Sequence, residues 1–259
     1  MLAVSELPRL EGVDNFRDYG DYDAADGRRV HRGVLLRSAH HAQATDADLE
    51  ALGGLDLAVV VDLRRKTERE RSPSRRPARF RAALILNDEE RPDSWLEHIH
   101  TSDLSPASFH DFLIGYYRQA VFDTCHFDIF GQYFRALAAL ERPILIHCAA
   151  GKDRTGILAA LTHRLLGVAE GDLMTDYLAT NAAARIEARA PLMGAYIRDL
   201  TGRTPSDEAL RVTLGVHADY LHAAFQAITA RMTLEDYFQN LLGVTSVLAE
   251  QIRGRLLTG

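Results

Sequence analysis

The chain has 259 residues, of which 47% are hydrophobic and 25% charged, and its formal net charge is −6. This composition is that of a globular protein with a sizeable core, and the negative balance argues against a general affinity for nucleic acid. No apolar run approaches the roughly 18 residues of a membrane span, and residues 1–6 lack the basic head of a signal peptide. Two cysteines do not make a disulfide framework, so the expected location is the cytoplasm.

The first strongly apolar segment, residues 57–61, is rich in β-branched side chains, which is typical of a buried parallel strand. Asp62 follows it directly. Because ligands of open α/β sheets bind at the carboxyl ends of the strands, we expect Asp62 to lie close to a functional site. There it would orient loop residues, assist proton transfer, or simply accept hydrogen bonds from the loop backbone as a buried acid.

A strongly basic segment comes next, from Arg64 to Arg81, with nine Lys or Arg residues and two Glu residues. Such a concentration of positive charge predicts either a solvated loop or a basic rim. As a rim it would attract phosphoinositide headgroups or make transient contact with an anionic membrane surface.

A third segment, about residues 88–125, begins with a polar stretch that lacks a helical or strand period up to Ser105 and contains the only tryptophan, Trp95. Long irregular segments often cover binding sites, so it is a candidate lid. Residues 105–121 and 127–140 repeat their apolar side chains at three- and four-residue spacing, which predicts two helices.

The most informative stretch is residues 144–161. An apolar run predicts a strand over 144–147, a second apolar run predicts the start of a helix at about 157, and a tight loop joins them. We call residues 148–154 the anion loop, because backbone N–H groups at such a helix N-terminus, together with the helix dipole, bind a tetrahedral oxyanion. A nucleotide-binding glycine loop is excluded, since Ile146 stands where its first glycine belongs.

The side chains of the anion loop suit phosphoryl transfer. A helix N-terminus and nearby cations favour the thiolate form of a cysteine, so Cys148 is a candidate nucleophile. The planar guanidinium of Arg154 matches two phosphate oxygens. Thr155 is expected to donate its hydroxyl to the sulfur when the sulfur leaves, and Gly151 permits a backbone conformation that a side chain would hinder.

The sequence around the anion loop resembles the signature of the cysteine-dependent protein tyrosine phosphatase superfamily: His147, Cys148, five further residues ending at Arg154, and Thr155. The fuller string His-Cys-x-x-Gly-Lys-Asp-Arg-Thr-Gly is similar to the atypical bacterial and fungal branch, which acts on phosphotyrosine, phosphoserine and phosphoinositides. Three other motifs of that branch recur here: Asn15-Phe16-Arg17-Asp18-Tyr19-Gly20, Leu36-Arg37-Ser38, and Asp62-Leu63-Arg64 with Glu68.

The resemblance implies one phosphatase domain over residues 1–259. Its fold would be α/β, with a central, mostly parallel sheet flanked by helices and a helical C-terminal half. The reaction would proceed through a phosphocysteine intermediate on phosphoprotein or phosphoinositide monoesters, without a cofactor or a metal. Some relatives leave the cell without an ordinary signal peptide, so export stays open beside the cytoplasm.

The same resemblance assigns roles within the anion loop. Cys148, Asp153 and Arg154 would be catalytic, with Asp153 as the general acid and Asp93 as an upstream alternative; His147 would be a supporting residue. Lys152 would hold a second phosphate or pair with an acid. The residues that would contact the phosphate are Ala149, Ala150, Gly151, Lys152, Asp153 and Arg154. Two other readings stay open at this point: an inactive module that binds phosphate or phosphoinositides, and a rhodanese-like sulfurtransferase.

Overall fold

A computed structural model describes residues 7–90 and 92–259. The expectation about a signal peptide in residues 1–6 therefore lies outside the described residues. A five-stranded sheet has the order β1-β3-β6-β4-β5, in which β1 is antiparallel to β3 and the other neighbours are parallel. The strands are β1 (Arg17–Asp18), β2 (Arg29–Val30), β3 (Leu35–Ser38), β4 (Val59–Asp62), β5 (Ala83–Leu86), β6 (Ile144–His147) and β7 (Leu257–Thr258). β2 and β7 form a separate antiparallel pair.

Helices flank the sheet and make up most of the C-terminal half. They are α1 (Asp46–Gly54), α2 (Lys66–Arg71), α3 (Ser94–Thr101), α4 (Pro106–Ala120), α5 (Thr124–Ala138), α6 (Asp153–Leu166), α7 (Glu170–Leu178), α8 (Thr180–Ala183), α9 (Ile186–Thr201), α10 (Asp207–Leu214), α11 (Ala218–Thr229), α12 (Leu234–Asp236) and α13 (Ser246–Leu256). A π-helical turn, Tyr237–Leu241, follows α12. None of the described helices is both long enough and apolar enough to cross a bilayer.

Strand β6 lies in the middle of the five-stranded sheet, and both of its faces are apolar. Successive side chains of a strand point to opposite sides. Ile144 and Ile146 accordingly pack into the large core between the sheet and helices α4, α5, α6, α11 and α13. Leu145 packs on the other side against Leu52 of α1 and its neighbours. A strand buried on both faces needs helices on both faces, so the predicted α/β class, with its mostly parallel sheet and helical C-terminal half, is confirmed.

The parallel register fixes where the site forms. His147, the last residue of β6, lies opposite Ser38 at the end of β3 and opposite Asp62 at the end of β4. The carboxyl ends of three neighbouring strands are therefore level. The loops that leave them meet at one edge of the sheet, directly in front of α6.

Two local expectations differ from the structure. The polar stretch between residues 88 and 105 was expected to be irregular, but it contains α3, whose first turn is capped because the Asp93 carboxylate accepts from the Leu96 N–H. Because proline disrupts helices, the sequence predicts that a helix over residues 171–190 ends at Pro191. Instead the chain breaks at Arg185, which has a positive φ of 48°, and Pro191 lies inside α9.

The candidate lid consists of ordered helices. α4 is anchored in the core by Phe109, Leu113 and Tyr117, each no more than 6% exposed. The segment lines the cleft described below, whereas motion of any part of it stays a prediction. That the chain forms a single domain likewise stays an expectation from the sequence.

Candidate active site

The anion loop runs from the end of β6 to the first turn of α6. Cys148 opens it and is only 2% exposed. Gly151 has a φ of +65°, and a Cβ atom at this position would lie 2.3 Å from the carbonyl oxygen of Ser38. Position 151 thus requires glycine for two reasons, the left-handed backbone conformation and the close approach of β3.

The carbonyl groups of the anion loop point away from its concave side. The Ala149 carbonyl accepts from the backbone of His40 at 3.2 Å. The carbonyls of Ala150 and Gly151 accept from the Asn15 side chain at 3.2 and 2.7 Å. In a trans peptide the next N–H points opposite to the carbonyl. The N–H groups of residues 150–152 therefore face the other way, as oxyanion binding requires.

A buried ionic network behind the loop holds this orientation. Arg37 is fully buried, donates to the Gly151 carbonyl at 3.0 Å and pairs with Asp176 at 2.5 Å. Arg17 also pairs with Asp176, at 2.9 Å, and donates to the side-chain oxygen of Asn15. Burial alone would raise the pKa of Asp176, but the two guanidinium groups outweigh it and lower that pKa. The sequence motifs contained Asn15, Arg17 and Arg37 but did not show which partners these residues have.

Arg154 is aimed by a carboxylate. Its two terminal nitrogens donate to the two oxygens of Glu68 at 2.6 and 2.8 Å, and one of them also donates to the Leu63 carbonyl at 3.0 Å. Burial opposes the charge of Glu68, yet the Arg154 guanidinium lowers the pKa of Glu68 to about 2. Such a bidentate pair fixes the plane of the guanidinium. Glu68 belonged to a recognised motif, but its pairing with Arg154 was not foreseen.

Asp153 occupies the first turn of α6 and is held by tyrosines. The Tyr117 hydroxyl donates to its carboxylate at 2.9 Å, and the Tyr177 hydroxyl donates in turn to that of Tyr117 at 2.8 Å. Burial raises the pKa of Tyr117 well above its usual value, so it acts as a neutral donor. Sequence reasoning missed Tyr117 of α4. The motif that contains Tyr177 of α7 is expected to pack behind the loop, but its hydrogen bond to Tyr117 was not predicted.

Lys152 turns inward in this structure. Its ammonium donates to the Thr213 carbonyl at 2.6 Å and lies 3.6 Å from the Asp153 carboxylate, with its side chain 6% exposed. Of the two roles considered for it, this geometry corresponds to pairing with an acid. A second phosphate would reach the ammonium only if the contact with Thr213 opened.

Asp62 and His147 lie under the loop rather than in it. Asp62 is fully engaged by Arg64, which donates to its two oxygens at 2.9 and 2.7 Å. Burial would raise the pKa of Asp62, but His147 and Arg64 lower it to about 2. The His147 ring stacks on His41 at 4.8 Å, and burial lowers the pKa of His147 to about 4. Both residues are thus buried at the strand ends, neither lines the cleft described below, and their supporting role stays a prediction.

Thr155 is fully buried, and its hydroxyl has no hydrogen-bond partner among the described residues. The expected hydrogen bond to the sulfur of Cys148 is thus not formed in this structure. A buried hydroxyl without a partner is uncommon. Its role toward a departing sulfur stays a prediction.

The anion loop forms part of the wall of a cleft of about 750 Å³. Arg154, Asp153 and Lys152 line it together with aromatic side chains from α3 and α4: Trp95, Phe109, Phe112 and Tyr116. Asp93, the alternative acid, also lines the cleft. It is already paired with Arg65 at 2.7 Å and caps α3, so it is less suited to donate a proton to a substrate than Asp153.

Much of the positive charge of the segment between Arg64 and Arg81 is paired with acidic side chains of the protein. Besides Arg64 and Arg65, Lys66 lies 4.0 Å from Glu70, and Arg69 and Arg75 pair with Asp88 and Asp46. These pairs reduce the charge available to a membrane surface. Contact with anionic lipid through this segment stays a prediction.

Known proteins are similar to this chain over most of its length. A profile of the tyrosine phosphatase family matches residues 8–258. A protein of Cupriavidus necator, assigned as a tyrosine-protein phosphatase, is 32% identical over 253 residues, which cover 96% of this chain and 88% of that protein. The triple specificity protein phosphatase PtpB of Mycobacterium tuberculosis is 29% identical over 288 residues, covering 99% of this chain and 100% of PtpB.

Among solved structures, that of P. aeruginosa TpbA overlaps with a TM-score of 0.32 at 18% identity, covering 75% of this chain and 96% of TpbA. A score this low leaves the fold assignment to the topology of the chain itself. The family match covers nearly the whole chain, and both full-length relatives are named as phosphatases. The chain therefore belongs to the tyrosine phosphatase family and is a phosphoric monoester hydrolase.

Proposed function

We propose that the chain hydrolyses phosphomonoesters in two steps through a phosphocysteine at Cys148. The observation that carries the proposal is the convergence of three groups at one end of the cleft. They are the N–H groups that face the concave side of the anion loop, the guanidinium of Arg154 fixed by Glu68, and the Asp153 carboxyl held by Tyr117. Together they supply an oxyanion site, a clamp and a proton carrier beside a cysteine.

In the first step the Cys148 thiolate attacks phosphorus while the bond from phosphorus to the ester oxygen breaks. The leaving oxygen takes the proton of the Asp153 carboxyl. Arg154 and the loop N–H groups stay on the three remaining phosphate oxygens, where charge accumulates in the transition state. The products of this step are the free alcohol and the phosphocysteine.

In the second step a water molecule attacks the phosphocysteine and the bond from phosphorus to sulfur breaks. The Asp153 carboxylate takes a proton from that water, which restores the acid for the next cycle. The hydrogen bond from Tyr117 supports the ionised carboxylate that this step needs. The sulfur leaves as a thiolate, and inorganic phosphate is released.

The shape of the cleft favours aryl phosphates. Cys148 is 2% exposed, so a substrate must reach inward to meet it. A phosphotyrosine ring provides that length and packs against aromatic walls such as Phe112 and Tyr116. The volume of about 750 Å³ also leaves room for phosphoserine peptides or phosphoinositide headgroups, and the resemblance to the triple specificity PtpB supports a broad range.

The test is phosphate release from a phosphotyrosine peptide, a phosphoserine peptide and a phosphoinositide panel, measured with wild type, Cys148→Ser and Asp153→Asn. Cys148→Ser should abolish turnover yet still bind the phosphopeptide. Cys125→Ser, which alters the other cysteine on α5 rather than one in the loop, should keep turnover and serves as the matched control.

Leaving-group dependence separates the acid role of Asp153 from a structural one. Asp153→Asn should lose much more rate on an alkyl phosphate than on p-nitrophenyl phosphate, whose leaving group needs no proton. Equal losses of rate on the two substrates would mean that another residue donates the proton, and Asp93 would be the next candidate. Peptide binding by wild type without phosphate release would instead indicate a binding module. Formation of thiocyanate and sulfite from thiosulfate and cyanide would indicate a sulfurtransferase.

A further inference from the structure

A second cluster of chemically active side chains lies outside the catalytic cleft. His110 is on α4, His217 caps the N-terminus of α11, and Asp219 is in the first turn of α11. One ligand atom from each lies within 4.8 Å of the other two. None of the three lines the cleft.

Distances within the cluster are close to those of a metal site. The Asp219 Oδ2 atom lies 3.7 Å from His110 Nε2 and 3.2 Å from His217 Nδ1. Ligands bound at about 2.0–2.1 Å on a tetrahedral zinc ion are about 3.3 Å apart. These two distances are thus close to the edge lengths of such a tetrahedron, and the ligand atoms of His110 and His217 lie within 4.8 Å of each other.

The cluster contains a carboxylate without a Lys or Arg partner. Among the ion pairs of the described residues, Asp219 contacts only the two histidines. His217 Nδ1 also accepts a hydrogen bond from the backbone N–H of Asp219 at 3.3 Å. A metal ion bound at Nδ1 would take the place of that hydrogen bond, because the nitrogen has a single lone pair.

The scaffold holds the ligands without large rearrangement. α11 packs along α4, and the His110 ring lies 5.1 Å from that of Tyr220 and 5.4 Å from that of His217. The other nitrogen of His110, Nδ1, faces Asp111 at 3.9 Å. At this distance the contact is electrostatic and is not a hydrogen bond.

We propose that His110, His217 and Asp219 bind a divalent transition-metal ion, of which Zn²⁺ best suits two imidazoles and one carboxylate. The ion would join α4 to α11. This site is independent of the proposed phosphatase mechanism. No sequence motif indicated it, because His110 on α4 is far along the chain from the other two ligands on α11 and only folding brings them together.

The test uses untagged protein carrying Cys148→Ser, so that the catalytic thiol cannot bind the metal. Titration with Co²⁺ should produce one saturable equivalent with the visible d–d absorption of a tetrahedral ion, and Zn²⁺ should displace it. At a 100-fold excess of Zn²⁺ over Kd, the Tm should rise by roughly 5 °C or more.

Three single variants identify the ligands: His110→Asn, His217→Asn and Asp219→Asn. Each should weaken binding at least about tenfold, and His217→Asn keeps a good helix cap, so α11 stays folded. The control is His222→Asn, which removes another exposed histidine of α11, one that lies 3.6 Å from Glu170. It should bind as the parent does.

Three results would overturn the proposal. The first is the absence of saturable binding to the folded parent. The second is binding that persists in all three ligand variants, whose folding is checked by circular dichroism, because the ion would then bind elsewhere. The third is loss of binding in His222→Asn to the same extent as in the ligand variants.

Discussion

Glu68 is the residue whose replacement tests the catalytic geometry most directly. Its two oxygens accept from the two terminal nitrogens of Arg154 at 2.8 and 2.6 Å. In Glu68→Gln one oxygen becomes an NH₂ group that points its own donors at the guanidinium. At least one charge-assisted hydrogen bond is lost, and Arg154 is no longer held in one plane.

The magnitude follows from that loss. A hydrogen bond to a charged group is worth about 1.5–3 kcal/mol, so kcat/KM should fall roughly 10- to 150-fold. Inhibition by inorganic phosphate should weaken as well, because Arg154 grips the same oxygens in the complex. Both quantities are measured with p-nitrophenyl phosphate, at a temperature where circular dichroism shows the variant folded.

Glu70→Gln is the matched control, since Glu70 lies on the same helix, has a side chain that is 63% exposed and stands 4.0 Å from the exposed Lys66. Its kcat/KM should stay within about twofold, as exposed pairs contribute little. If folded Glu68→Gln also stayed within twofold, Arg154 would not depend on Glu68, and the account of how the clamp is aimed would be wrong.

Tyr117→Phe removes the hydrogen bond to Asp153, so kcat should fall about tenfold, the worth of roughly 1.4 kcal/mol; equal kcat for both proteins on an alkyl phosphate would contradict this. Acid should weaken the fold, because burial lowers the pKa of His147 to about 4 while the unfolded chain keeps 6.5 and takes up the proton first. Stability is full above pH 6.5 and should drop by about 3 kcal/mol as the pH falls to 4; urea titrations at both pH values should show a smaller drop for His147→Asn. Gly151→Ala should cost roughly 2–4 kcal/mol in the free energy of unfolding, since its Cβ would meet the Ser38 carbonyl. Gly254→Ala has open space in α13 and should be neutral or slightly stabilising; urea titrations of both glycine variants measure the difference.

The sequence determined the chemistry of the anion loop because that chemistry is local. A strand, a tight loop and a helix N-terminus follow one another within residues 144–161, so hydrophobic runs and residue spacing suffice to place Cys148, Asp153 and Arg154 together. The apolar β-branched run before Asp62 similarly predicted a parallel strand beside the loop. The α/β class and the family followed from these contiguous signals.

Only the tertiary structure decided which side chains hold the catalytic ones. Glu68 reaches Arg154 across 86 residues, and Tyr117 reaches Asp153 across 36. Such pairs depend on how helices pack against the sheet, and neither periodicity nor propensity records which faces meet. The inward turn of Lys152 toward Thr213 and the meeting of His110 with His217 have the same cause: a side chain takes the partner that packing places within reach, however far away that partner lies in the sequence.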